Sequence, residues 1–574
     1  MVEKWTGTAA GMHGDIEVEV ALADDRLLSI EVLNQQETAN LADKVYETIP
    51  QRIIDQQSLH VDTVSGATVS SKAIINATAD ALKAAGLDPE DYQKITSVQA
   101  DKVTTEVIDA DVLVVGGGAA GLAAALAAEE AGAKVAILEK QAQFGGSANF
   151  AEGIFAAESR LQENDYIDIT KDQAFNFIME YSHWRANPRI ARAFVEKSAD
   201  TINWLLDHGI TFEKVTTNNP GGLRTWHIFD GHGAGYIQKM SALIKDRDIA
   251  CYYDTAGKEL IMEGDQVVGL KAEQGQKNLV FRSSAVIIAS GGYANNAEMM
   301  AKYTGQTNIY PVGNSNKTGE GILMAWEVGA GEEGTGVLQL YRPGVPGQSS
   351  TSLLNAAARQ PHLWINQRGD RFCNEEIVSL WPFAGNALAN QPDGVMYSVF
   401  DQATKEKMVE EGIKIGVGVL VPTGTKLVGI DDELSQGQAY GDVFIADSIE
   451  DLAEQLQLPQ EELRQTIADY NKISEGRQDN LFAKNPKYAA PIEAGPFYAI
   501  RCANHFLGTL GGIKINEKAE VVSSENRPIA GLYAAGNDAG GIYGDSYDLN
   551  LPGGTFGFAV NFGRIAGENA AKHF

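Results

Sequence analysis

Apolar and polar residues alternate early in the chain. Ile16, Val18, Val20 and Leu22 are separated by polar residues, Ala23-Asp24-Asp25-Arg26 reads as a turn, and Leu28, Ile30 and Val32 resume the alternation. That period of two predicts a β-hairpin. Over residues 71–85 the apolar positions recur at helical spacing and Gly86 closes the run, which predicts a helix. A polar stretch over residues 88–105 then separates this small α+β unit from the rest of the chain.

Beyond it the pattern changes from alternation to continuous apolar runs. Asp111-Val112-Leu113-Val114-Val115 has the length of a buried strand. Gly116-Gly117-Gly118-Ala119-Ala120-Gly121 follows, then an Ala-rich helix to Gly132, then a strand over 134–138 that ends at Glu139. A strand, a G-x-G-x-x-G turn, a helix and an acidic residue at the next strand end form a dinucleotide fingerprint. The glycines allow a tight turn and close approach of a pyrophosphate to the helix N-terminus, and Glu139 is placed for a ribose hydroxyl. Such a turn alone is weak evidence in a chain with 60 glycines; the flanking elements and the spaced glutamate make it specific. Two later stretches, Ala285-Val286-Ile287-Ile288-Ala289-Ser290-Gly291-Gly292 and Gly531-Leu532-Tyr533-Ala534-Ala535-Gly536-Asn537-Asp538, repeat the strand-then-glycine form. Between them, residues 448–471 read as two amphipathic helices split at Pro459, part of a unit inserted into the dinucleotide fold.

Composition narrows the function classes. A length of 574 residues exceeds one compact core, so several domains are expected. Lys+Arg 46 against Asp+Glu 76 gives −30, which argues against nucleic acid and anionic membrane surfaces as partners. Cys251, Cys373 and Cys502 are too few and too scattered for a disulfide framework, an iron–sulfur cluster or a zinc site, and no Cys-x-x-Cys-His offers a haem attachment, so no metal is expected. The first residues lack a basic start followed by an apolar stretch, and no run is long enough to span a bilayer, so a cytoplasmic location is expected.

The body resembles the flavoprotein family of fumarate reductase, urocanate reductase and 3-ketosteroid dehydrogenase. The resemblance rests on the fingerprint, on Thr318-Gly319-Glu320-Gly321, and on Asn366-Gln367-Arg368-Gly369-Asp370-Arg371-Phe372-Cys373-Asn374-Glu375, similar to the family's N-x-x-G-x-R-F-x-N-E stretch. Phe562-Gly563-Arg564-Ile565-Ala566-Gly567 resembles its C-terminal helix. FAD is therefore implied, bound by Gly116, Gly118, Ala120, Gly121, Glu139, Lys140, Gly146, Ser147, Gly291, Gly536 and Asn537. It is expected to be non-covalent, because no His stands near Gln143-Phe144-Gly145-Gly146-Ser147. The N-terminal unit resembles the FMN-binding domain fused to such reductases. Asp62-x-x-Ser65-Gly66-Ala67-Thr68 matches the signature in which a transferase esterifies a threonine with FMN phosphate, implying covalent FMN at Thr68. Read without the resemblance, the same residues are a Ser/Thr-rich loop that caps the next helix.

Departures from the family pattern bear on the substrate. Where fumarate reductases place a catalytic Arg after the Asn-Glu pair, this chain has Ser379; the paired Arg survives as Arg359, but its Glu partner falls on Ala356. The carboxylate-binding His falls on Gly508 and the C-terminal Arg on Tyr547. In ketosteroid dehydrogenases a Ser-Tyr pair at this last place, followed by a glycine, polarises a ketone; Tyr547 and Gly553 are the corresponding candidates, although Asp548-Leu549-Asn550-Leu551-Pro552 is longer than the pattern. Tyr547 could equally pack against the flavin ring. Ser379 occupies the position of the ketosteroid enzymes' catalytic Tyr. Tyr341, Arg342, Arg359, His362 and Tyr543 are open candidates for the proton donor.

The expected architecture is α/β: a Rossmann-like FAD-binding domain with an inserted α+β capping domain, preceded by a small α+β FMN-binding domain. The expected boundaries are 1–96 for the FMN domain, 97–110 for a linker, 111–340 and 508–574 for the FAD domain, and 341–507 for the cap. The expected activity is that of an ene-reductase acting on an α,β-unsaturated carbonyl compound, an enone or enoate, with FMN relaying electrons from an external donor (a flavin reductase, or an NADH-linked or quinone-linked protein). A fumarate- or urocanate-type carboxylate reductase, a ketosteroid-type dehydrogenase running in the oxidising direction and a non-catalytic flavin electron carrier are the rivals. Catalytic candidates are Tyr547, Arg359, Gly553 and Ser379.

Overall fold

The computed structural model describes residues 2–11, 14–23, 25–35, 43–61, 68–92, 104–218, 222–416 and 421–572. The N-terminal unit is an antiparallel sheet, β1 (Glu3–Ala10), β2 (Asp15–Ala23) and β3 (Arg26–Asn34), covered by helices α1 (Asp43–Gln56) and α2 (Thr68–Ala84). Ile16, Val18, Val20, Leu27, Ile49, Ile53, Ile74 and Ala81 form its core. The hairpin is present, but its second strand slips phase. Leu22 pairs with Leu27 while Ala21 pairs with Ser29, so Leu28 is an extra residue and points outward, 47% exposed, while Leu27 is buried. A Cβ on Gly7 would lie 2.2 Å from the Ala77 carbonyl, so β1 crosses α2 backbone to backbone. The Asp62–Ala67 part of the FMN signature and residues 97–103 of the expected linker lie outside the described residues, as does the side chain of Thr68, the first residue of α2.

In the body, β4 (Val112–Val115), helix α3 (Ala119–Glu130) and β5 (Val135–Leu138) form the expected βαβ unit. The strands Ala250–Tyr252, β5, β4, Ala285–Ile288 and Pro528–Ala534 lie side by side and parallel. β4, β5 and Ala285–Ile288 are buried at every residue, as strands covered on both faces must be. The last helix, Gly554–Ala570, lies directly on α3. Cβ atoms on Gly563 and Gly567 would come within 2.3 Å of the Ala120 carbonyl and 2.2 Å of the Ala124 carbonyl, so only glycine permits this approach.

The inserted unit is built on the long strand Phe497–Thr509. Leu338–Gly344, Val395–Asp401 and Val443–Ala446 pair with it antiparallel. The helices Ile449–Gln455 and Gln460–Ser474 flank that sheet, divided at Pro459 as expected. The expected limits 341 and 507 fall within the paired strands Leu338–Gly344 and Phe497–Thr509. The Asn366–Glu375 stretch pins this unit. The Asn366 side-chain oxygen accepts from Arg368 and Asp370 N–H across a turn that Gly369 makes at φ 82°. Glu375, fully buried, then takes Arg371 at 3.0 Å and Lys484 at 2.9 Å, and Arg371 also reaches Asp479 at 3.1 Å. Each buried charge thus meets an opposite one, without which its burial would be strongly unfavourable. Among the described residues no helix is long and apolar enough to cross a membrane.

Candidate active site

A cavity of about 670 Å³ runs from the fingerprint turn to the inserted sheet. One end is walled largely by backbone. Gly116 takes φ 111°, and a Cβ there would lie 2.3 Å from the Ala289 carbonyl; one on Gly117 would strike the Phe144 ring at 2.0 Å. Gly121 packs the first turn of α3 against β4, its Cβ position 1.8 Å from the Gly116 carbonyl. At Gly118 and Gly146 the nearest atoms would be 3.8 and 3.6 Å away, so side chains there would project into the cavity. The open first turn of α3 faces the same space, with Ala120 on its lining. This bare backbone rim is the cradle a pyrophosphate needs, and FAD fits it.

The other fingerprint residues close that end. Glu139 accepts from the N–H groups of Gly117 and Gln141, both at 2.8 Å, and so clamps the glycine turn to the end of β5; burial pushes its carboxyl up. Lys140 holds Thr318 at 2.7 Å and Glu320 at 3.0 Å, which joins the fingerprint to the Thr318–Gly321 stretch. Ser147, Gly291, Gly536 and Asn537 also line the cavity. Two residues that the sequence patterns do not single out belong here. Asp538, fully buried, accepts from Gly291 N–H at 3.0 Å and Gly292 N–H at 2.8 Å and tethers the two strand-then-glycine turns. Lys317 lines the cavity, donates to the Leu507 carbonyl at 2.7 Å, and is lowered by burial to about 8. A signal for Asp538 does exist in the sequence: an acid two residues after a glycine at the end of a buried strand needs donors, and a glycine turn supplies them.

The far end is walled by side chains from separated segments: Gln339, Tyr341, Thr351, Trp381, Tyr547 and Thr555. Tyr547 is buried, and its hydroxyl lies close to the side chains of Thr555 and Gln339. Burial raises its pKa, which keeps it a neutral donor. Gly553, in the left-handed region at φ 83°, caps the last helix and also lines the cavity. A Cβ there would lie 2.5 Å from the Phe155 nitrogen.

Two candidates stand off the cavity wall. Arg359 is fully buried behind the wall instead of on it. Its guanidinium donates to the carbonyls of Pro343 and Ser350, each at 2.8 Å, and lies 3.3 Å from His505 Nδ1. Its charge faces the Tyr341 ring, 5.1 Å from the centroid. Arg342 is arranged likewise, 4.5 Å over the Trp381 ring, and burial lowers it to about 10. Ser379 is the last residue of a 3-10 turn, Glu375–Ser379, and does not line the cavity; Trp381, two residues on, takes that part of the wall. Among the other proton-donor candidates, His362 is buried beside Phe400 and lowered by burial to about 3, and neither of its ring nitrogens has a partner among the described residues. At Gly508 a Cβ would lie 2.8 Å from the Asn537 amide nitrogen, so a histidine there would displace a cavity residue.

A parallel sheet, a glycine-walled dinucleotide cradle and a side-chain-walled far end of the same cavity define a flavin-dependent oxidoreductase. Residues 111–550 match the FAD binding domain family and residues 11–83 the FMN-binding domain, so the chain belongs to the FAD binding domain family and carries both flavin modules. The vinyl phenol reductase of Lactiplantibacillus plantarum is 36% identical over 81% of this chain and 96% of its own length. The NADH:fumarate oxidoreductase of Klebsiella pneumoniae is 31% identical over 97% of this chain, which spans 57% of that protein. The open conformation of a flavocytochrome c3 fumarate reductase superposes with a TM-score of 0.62 at 25% identity, covering 81% of this chain and 78% of that one.

Proposed function

We propose that the chain reduces a C=C bond conjugated to a neutral carbonyl, that of an enone or of its vinylogous counterpart, the quinone methide that a 4-hydroxystyrene becomes when its phenol loses a proton and its vinyl terminus gains one. Bound FAD would supply the hydride to the electron-poor carbon. Tyr547 carries the reading: a buried phenol, beside Thr555 and Gln339, faces the chamber where charge would develop on the substrate oxygen. Gly553 N–H is the second candidate donor. Tyr341 and Trp381, packed edge to face at 4.8 Å, offer apolar surface to a ring, and Arg342 and Arg359 behind them lend positive potential without a contact for a carboxylate. The name of the vinyl phenol reductase points the same way. A dicarboxylate would need cations on the wall, and the described residues at this end supply none.

FMN would be attached at Thr68 by a transferase and would pass electrons from an external donor to FAD. A carboxylate reductase and a ketosteroid-type dehydrogenase remain the competing readings. Photoreduced enzyme mixed anaerobically with an α,β-unsaturated ketone, a 4-hydroxystyrene, the matching acrylate and fumarate separates them. Rapid flavin reoxidation by the ketone or the hydroxystyrene is expected. Fumarate turnover at rates usual for an enzyme on its own substrate, on the order of 10 per second, would overturn the proposal.

A further inference from the structure

A second, much smaller cavity lies on the far side of Tyr543 from the main chamber. It has a volume of about 20 Å³, room for one water, and Tyr181, Ser182, Tyr543, Asp548 and Gly554 line it. Asp548 is buried, with Oδ1 accepting from the Asn550 N–H at 2.8 Å and Oδ2 buried without a hydrogen-bond partner among the described residues. Tyr543 reaches from this cavity toward the main one: its hydroxyl is 3.4 Å from Thr555 Oγ1, and the Thr555 side chain lies close to the Tyr547 hydroxyl, both on the lining of the main cavity. The Tyr543 and Tyr547 rings meet edge to face at 5.5 Å. The ionisable groups facing Asp548 are Tyr181, Tyr543 and Tyr547; the nearby Asp545 is exposed and paired with Arg185 at 2.8 Å. No cation among the described residues therefore holds Asp548 ionised, and burial raises it to about 7.

We propose that Asp548 supplies the proton of the reaction, passed through Tyr543 and Thr555 to Tyr547 and from there to the reduced substrate. The proposal rests on the ene-reductase reading and adds to it the source and path of the proton. Hydride addition leaves an anion on the substrate, and the Tyr547 O–H bond breaks to neutralise it. The Thr555 hydroxyl proton refills Tyr547, the Tyr543 proton refills Thr555, and the carboxylic proton of Asp548 refills Tyr543, directly or through a water in the small cavity. Solvent then reprotonates the carboxylate. One proton enters per turnover, and no electrons travel along the line.

The relay needs Asp548 as the neutral acid, so substrate reduction falls as pH rises through about 7. Asp548→Asn keeps the acceptor for the Asn550 N–H but has no acidic proton. Its single-turnover rate below that pH is expected to drop by roughly 10² to the high-pH rate of the wild type, with the pH dependence gone. Thr555→Val should lose the same factor and Thr555→Ser should keep the rate. In the infrared difference between the oxidised wild type and Asp548→Asn, a carboxylic C=O band should be present in acid and bleach through about pH 7. A variant with the wild-type pH profile, or a protein without that band in acid, overturns the relay alone. A wild type that reduces no conjugated alkene removes the ene-reductase reading and the relay with it.

Discussion

At one end of the cavity the wall is backbone, set by Gly116, Gly118 and Gly146; at the other it is side chains, Gln339, Tyr341, Trp381 and Tyr547. The first end comes mostly from short contiguous runs, and at Gly116 and Gly117 an added methyl would meet fixed neighbours. The second draws on residues separated by up to 216 positions, Gln339 to Thr555, held by packing and hydrogen bonds that a substitution can weaken by degrees. Cofactor binding should therefore fail abruptly with change at one end, while catalysis at the other should decline in steps.

The largest effect is expected at the glycine end. Gly116→Val combines a left-handed φ with a Cβ 2.3 Å from the Ala289 carbonyl, and should yield protein without FAD, read as a lost flavin absorbance after desalting. Retained FAD would show that the turn can give way. At the side-chain end, Tyr547→Phe removes one donor and keeps the ring. A loss of about 10²–10³ in turnover with unchanged FAD content is expected, and an unaffected rate would reduce Tyr547 to packing. The smallest effect belongs to Ser379→Ala. Off the lining, it should change stability by no more than about 0.5 kcal/mol and leave the rate as it was. A large rate loss there would bring Ser379 back into the chemistry.

The same contrast explains what the sequence makes legible. The βαβ unit can be read from it because strand, glycine turn, helix and Glu139 are consecutive and each has a local physical reason. Strand β1 cannot, because Glu3–Ala10 carries few apolar residues and gains its place by crossing α2 at Gly7. Alternation puts Leu28 on the wrong face because a bulge costs one residue of register and leaves no mark on the pattern. Arg359 and Ser379 are candidates by position relative to a family pattern, and position along a chain does not say on which side of a wall a side chain stands. Tyr341 and Trp381, whose rings stand between the guanidinium groups and the chamber, can be located only in three dimensions.

The glycine faces of the last helix also set a schedule for the protein's birth. Among the described residues, the buried core of the N-terminal unit is drawn from residues 16–92, apart from Ala142, so it can gather soon after it leaves the ribosome. The cradle cannot. Strand Ala285–Ile288 waits for Pro528–Ala534 as its neighbour, and α3 waits more than 400 residues for Gly563 and Gly567 to settle on its backbone. Until then a sheet edge and an apolar helix face stay uncovered, and closing so long a loop is slow. For this chain, a closed flavin cradle in the body has to await the synthesis of residues 528–570, which complete its sheet and cover α3.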